Sequence, residues 1–300
     1  MKVNSNPEYL PVFHHIAKNA GTYVLSWMMM FCRKYNISCG STKIKGWGAW
    51  RIRRALIKLP DGKQLTSCYY TPTDINRHNG NFSMHSLQDQ SSDDVDLETF
   101  IECIHSKDIF PFSISIDPMD PGWKSARKAI EEIRDASNRK YLLQFTVLRD
   151  PYKRAQSLFS YLTSESSFHE PTHQCFKSKT FEDYIQSTEV EDSWFLRSLL
   201  DMEEKSIIEP HHLTLAHDVY LKDFRIEDIS NVDKLINNVF HGVYGIMQSD
   251  VEPHVVKSNI DKNKTPNKKK IPLKNLPKEI QQNFLDRTYW DRKLWERYCK

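Results

Sequence analysis

Hydrophobic positions change their period early in the chain. Residues 9–16, YLPVFHHI, form a short aromatic and β-branched run, and residues 22–35, TYVLSWMMMFCRKY, are long enough for several helical turns. A bend of small and polar residues, AKNAG, separates them, so the pattern predicts strand, turn, helix. Short strands are predicted at 66–71, TSCYYT, and at 82–87, FSMHSL. Their order in a sheet is not encoded locally.

A second block opens with the strand-like IFPFSISI at 109–116. The segment PMDPGWKSARKAIEEIRDASN then supplies prolines and Gly122 before a helix with Glu and Lys on its wet side. Residues 140–148, KYLLQFTVL, are almost continuously apolar, which predicts a central parallel strand covered on both faces. Asp150 can cap the following helix, and Pro151 can take its first position, where a missing amide proton is harmless. Ala155, Leu158, Phe159 and Leu162 continue that helix at helical intervals.

From 176 onward the pattern is mainly helical, through FEDYIQSTEVEDSWFLRSLL and NVDKLINNVFHGVYGI. Residues 257–275, KSNIDKNKTPNKKKIPLKN, interrupt it with a basic stretch expected to form a mobile surface loop. The ending PKEIQQNFLDRTYWDRKLWERYC is amphipathic, and its Phe284, Leu285, Tyr289, Leu294 and Trp295 need cover. The whole predicts an α/β chain with a central parallel sheet and a helical C-terminal part, as one domain over 1–300.

Composition narrows the classes. With 39% apolar and 27% charged residues the chain reads as globular, and its formal net charge of +3 creates no field that demands a nucleic acid. Charge is nevertheless uneven: KIKGWGAWRIRRALIK at 43–58 has six Lys or Arg and no acid, whereas DQSSDDVDLE at 89–98 is acidic. Two solvated faces explain both runs; an acidic acceptor, with Trp47 and Trp50 as flat contacts, is the functional reading of the first. The six cysteines show no metal-ligand rhythm and fit a reducing compartment, and no apolar core of a signal peptide or ~20-residue membrane span is present. A cytoplasmic chain without a membrane anchor or metal site is expected.

The chemistry-bearing candidates lie at two bends. A turn entering a helix presents unpaired amides that suit an anion. In HHIAKNAGTY, Ala20 and Gly21 keep the approach open, Thr22 can donate a hydroxyl and Lys18 can add a cation. An ordinary strand-to-helix connection explains the same letters. The usual triphosphate pattern GxxxxGK[ST] is absent, because Lys18 precedes the glycine. Far downstream, FTVLRDPYKRAQSLFSYL places Arg149 at the end of a buried strand and Ser157 two turns along the next helix, a guanidinium and a hydroxyl suited to a terminal phosphate. In a parallel sheet the two bends can meet at the carboxyl ends of neighbouring strands. His14 and His15 point to opposite faces of their strand, so at most one faces such a crevice.

The combination of AKNAGT and LRDPYKRAQS resembles the phosphoadenylyl-sulfate-dependent sulfotransferases, especially their carbohydrate-directed branch. The resemblance implies a P-loop-like three-layer fold and a cofactor, 3′-phosphoadenylyl sulfate (PAPS), that leaves as 3′-phosphoadenosine 5′-phosphate (PAP). It implies that Lys18, Asn19, Ala20, Gly21, Thr22 and Tyr23 hold the 5′-phosphosulfate, with Ala17 where the family usually has proline. Arg149 and Ser157, eight residues apart as in the family, would hold the 3′-phosphate. DSWFLRSLL resembles a helical stretch that would bring Arg197 near the cofactor, and HVVKSNIDKNK and YWDRKLWE resemble a basic loop and closing helix near the nucleotide.

Sulfuryl transfer to a hydroxyl, or an amine, of a glycan or small molecule is the implied reaction. Lys18 would stabilise charge on the leaving oxygen, and His85 in GNFSMHSL would take the acceptor proton, the similar region of the family often carrying a histidine there. A structural histidine is the other reading of His85, and His78 and Asp89 are neighbouring substitutes. A P-loop kinase and a non-catalytic nucleotide-binding protein are the alternative readings. The kinase is disfavoured by the misplaced Lys18 and by the lack of a magnesium-binding aspartate after an early strand.

Overall fold

A computed structural model describes residues 8–16, 19–35, 39–44, 54–58, 64–70, 112–116, 130–131, 134–135, 138–163, 179–187, 193–200, 202, 206–247 and 271–300. The first strand, β1 (Tyr9–Ile16), leads through the AKNA bend into helix α1 (Gly21–Tyr35), as the change of period predicts. Strands β2 (Cys39–Ile44), β3 (Arg54–Lys58), β4 (Gln64–Tyr70), β5 (Phe112–Ile116) and β6 (Tyr141–Leu148) follow. Helix α2 (Pro151–Leu162) starts where expected: the Asp150 carboxylate accepts the Lys153 amide at 3.0 Å, and Pro151 occupies the first turn.

The C-terminal part is largely helical: α3 (Phe181–Gln186), α4 (Trp194–Leu200), α5 (Pro210–Leu215), which runs on as a π-helical turn, α6 (Val232–Tyr244), α7 (Lys278–Arg287) and α8 (Tyr289–Cys299). One strand, β7 (Arg225–Asp228), lies inside the stretch read as helical. Four polar-rich residues, RIED, carry no apolar run, and what makes them a strand is pairing of their backbone with β6.

The described strands form one sheet in the order β3-β4-β2-β5-β1-β6-β7. The five from β2 to β7 are mutually parallel, while β4 pairs antiparallel with β2, and β3 antiparallel with β4. The expected parallel sheet therefore has an antiparallel extension, and β2 and β3 lie partly in the basic 43–58 stretch. Residues 82–87, Trp47 and Trp50, and most of the basic stretch at 257–275, lie outside the described residues. Its last five residues are not a loose loop: the Ile271 carbonyl accepts the Tyr152 hydroxyl at 2.7 Å and also the Gln156 amide, and Leu273–Asn275 form a 3₁₀ turn.

Helices cover both faces of the central strands. Alternation in β1 and β6 sends Phe13, Phe145 and Val147 against α1 and α6, where Trp27, Phe31, Val239 and Phe240 complete a buried aromatic cluster. On the opposite face, Ile16 and Leu148 pack with Phe195, Leu196 and Leu199 of α4 and Leu294 of α8. This second core is what folds the C-terminal helix back onto the carboxyl ends of the strands.

His14 also faces that second side, and it is fully buried. Its Nε2–H donates to Gln144 Oε1 at 3.1 Å and its ring lies 4.6 Å from that of Phe224. Burial holds its pKa well below the ordinary histidine value, the bond to Gln144 only partly opposing this. The unfolded chain therefore binds a proton that the native state refuses. The resulting stability is fully present above the unfolded pKa, about 6.5, and is lost as pH falls below it, at up to about 1.4 kcal/mol per pH unit. Urea unfolding at pH 7 and pH 5 is expected to show a steeper loss for the native chain than for His14→Phe; parallel losses would contradict it.

Candidate functional site

The sheet reverses its direction of growth between β1 and β6. The connection after β1 leads to β2 on one side, and the connection after β6 leads to β7 on the other. The two strands are direct neighbours, with Phe13 beside Phe145 and His14 beside Thr146. Their following bends thus diverge from one point at the carboxyl edge, the position where open α/β sheets bind ligands. The turn at Asn19 and Ala20 and the Arg149–Asp150 bend sit there.

The first bend is closed by the Asn19 amide donating to the Ile16 carbonyl at 3.1 Å and by the Val24 amide donating to the Ala20 carbonyl at 3.1 Å. Ala20 adopts φ 59°, a left-handed conformation that an alanine enters at a cost of about 1 kcal/mol. The chain then turns directly into α1, whose first amides have no carbonyl of their own helix to bond.

Gly21 also has a packing reason. A Cβ there would lie 1.8 Å from Cδ2 and Nε2 of His15, so the imidazole fills the space that the missing side chain leaves. Gly21→Ala is expected to destabilise the chain by about 1–3 kcal/mol through this overlap. In a His15→Ala background the same change should become neutral or slightly stabilising, since alanine is the better helix former. Thermal unfolding of the native chain and the three variants checks the change of sign.

A small open cleft lies over the two bends. Asn19, Arg149 and Arg154 contribute polar groups, Ile16, Leu148 and Phe195 the apolar floor, and Asp291 and Trp295 the side formed by α8. Asn19 is only 3% exposed, and its Oδ1 has no hydrogen-bond partner among the described residues. A buried amide oxygen left this way costs about 1–3 kcal/mol unless a ligand or water completes it. Arg149 is half-buried: burial disfavours its charge, with Asp150 and Asp228 acting in the opposite direction and Arg154 adding to the penalty.

The predicted residues divide accordingly. Asn19 and Arg149, 130 positions apart, line the common cleft, and Ala20 and Gly21 form its adjoining turn. Tyr23 uses its hydroxyl to donate to Asp233, tying α1 to α6. Ser157 is half-buried on α2 and is not part of the cleft lining. Arg197 is at the end of α4, outside the lining, where it donates to the Ser206 carbonyl at 2.6 Å. Lys18, His78, His85 and Asp89 lie outside the described residues, as does the side chain of Thr22, whose backbone is in α1.

Two cleft residues were not singled out from the sequence. Arg154 follows Pro151 at helical spacing, and both are buried together with Ala155, so a charged residue on the apolar stripe of α2 was the available signal. Asp291 is 7% exposed, and its two oxygens accept the Phe195 and Leu196 amides at 2.9 and 2.8 Å, capping α4 from α8. Nothing local in YWDRKLWE announces that contact. No helix among the described residues is long and apolar enough to cross a membrane. No family model, curated protein or solved structure matches the chain.

Proposed function

We propose that this chain is a PAPS-dependent sulfotransferase with a P-loop-like fold. The observation that carries the reading is the convergence of Asn19 and Arg149 in one cleft at the β1/β6 reversal point, from the two bends whose residues resemble the family's phosphate motifs. The lining offers two guanidiniums against one carboxylate, which suits an anionic nucleotide.

When bound, PAPS supplies the sulfuryl group and a departing nucleotide phosphate. The chain's own part is alignment and charge compensation. Lys18 and the first amides of α1 hold the 5′-phosphate side and offset charge as the sulfur–oxygen bond to it breaks. Arg149, with Ser157, holds the 3′-phosphate and so fixes the direction of attack. His85 receives the proton released as the acceptor hydroxyl, or amine, forms its new bond to sulfur. The acceptor class is a glycan or small molecule.

Incubation with PAPS and a pooled set of glycan and small-molecule acceptors tests the reading. Mass spectrometry is expected to detect an acceptor enlarged by one sulfuryl group, with turnover lost in Lys18→Ala. Tight binding of PAP with no transfer to any acceptor would instead favour a non-catalytic nucleotide-binding protein.

A further inference from the structure

We infer that the outward face of α8 binds an anionic saccharide, a sugar chain that carries repeated carboxylate or sulfate groups. This face is separate from the cleft, so the inference goes beyond the sulfotransferase reading and does not depend on it.

Helix α8 carries two stripes of opposite character. Asp291, Leu294, Trp295 and Tyr298, at intervals of three and four, turn inward to the cleft and the second core. Tyr289, Arg292, Lys293, Glu296, Arg297 and Lys300 recur at the same intervals on the outward stripe, which sets four cations against one carboxylate. The whole chain has a formal charge of only +3, so this is a local concentration.

Glu296 is shared among several cations. Lys300 reaches it at 3.1 Å and Lys293 at 3.6 Å; the bond from Lys300 first, then the charges of Lys300, Lys293 and Arg292, hold its carboxyl below the ordinary range. Arg292 Nε is buried and has no hydrogen-bond partner among the described residues. The helix dipole accounts for Arg297 and Lys300 near the C-terminal end, but it opposes Arg292 and Lys293 near the other. An anionic partner offsets that placement.

The aromatic member of the stripe selects the kind of anion. Tyr289 is 39% exposed, with Arg292 and Lys293 at 5.9 and 5.6 Å from its ring centroid and Trp290 edge-on at 4.8 Å. A sugar ring lays its C–H face on such a phenol while its anionic substituents pair with the flanking cations. Lys293 and Lys300 are two turns apart, about 10 Å along the axis. One ligand engages both only if its charge repeats along a chain.

Calorimetric titration with sulfated maltohexaose, unmodified maltohexaose and an oligothymidylate of equal charge tests the surface. The native chain is expected to bind the sulfated sugar about tenfold or more tighter than the other two, with affinity falling as salt is raised. Combined Arg292→Gln and Lys293→Gln is expected to weaken that binding by about fivefold or more, and Glu296→Gln, which removes the one acid, to strengthen it by about twofold to threefold. No preference over the neutral sugar, or oligothymidylate bound at least as tightly, overturns the inference. Full affinity in the double variant overturns it as well, because binding then lies elsewhere. Should the double variant fail to fold, Glu296→Gln decides: a gain supports the surface, and an unchanged or weaker affinity refutes it. Titration of the same native chain with PAP reports on the sulfotransferase reading separately.

Discussion

Arg149→Ala is expected to weaken PAP binding by about 30- to 100-fold, equivalent to about 2–3 kcal/mol, while binding of ADP changes by less than about threefold. The asymmetry is the informative part. Arg149 leaves β6 at the sheet's reversal point and lines the cleft; in the proposed role its loss removes charge-assisted bonds that only a 3′-phosphate can use. A general weakening of the fold would reduce both affinities alike. Calorimetry with the two nucleotides separates the outcomes, and a variant that discriminates as well as the native chain would remove Arg149 from 3′-phosphate recognition.

Asp291→Ala should destabilise the protein by about 3–5 kcal/mol. The carboxylate is buried, accepts two amides of α4, and shares the cleft lining with Arg149 and Arg154. Truncation strands the two amides. Urea unfolding is expected to show a large fall in midpoint with an unchanged slope, and Asp291→Asn, which keeps one oxygen acceptor, should fall between the two. A loss below about 1 kcal/mol would show that α4 does not depend on this cap.

The elements legible in the sequence are those whose cause is local. The switch of period at AKNAG announces β1 and α1, and LRDP states the end of β6 and the start of α2 through a buried run, a capping aspartate and a first-turn proline. β7 escaped because RIED owes its conformation to the backbone of β6, and its place at the sheet edge demands no apolar alternation. β2 and β3 share a stretch whose lysines and arginines suggested a solvated face. The stretch 181–200, read as mainly helical, holds α3 and α4, with Ser193 at φ 44° immediately before α4.

The candidate site was legible to the same extent. Asn19 and Arg149 follow from bends recognisable in the chain itself. Arg154 and Asp291 depend on α8 folding back over the strand ends, a tertiary event driven by Leu294 joining Ile16, Leu148 and Phe195 in the second core. His15 adds a packing reason for Gly21 that depends on the fold: its imidazole fills the space that a side chain at position 21 would take.

Under the proposed function the cleft takes a nucleotide phosphorylated at both ends. Calorimetric titration of the native chain with PAP and with ADP tests it most directly. Preferential binding of PAP, by about tenfold or more, is the predicted result, since a 3′-phosphate adds a charge-assisted contact of about 1.5–3 kcal/mol. Equal, weak binding of the two nucleotides would contradict it.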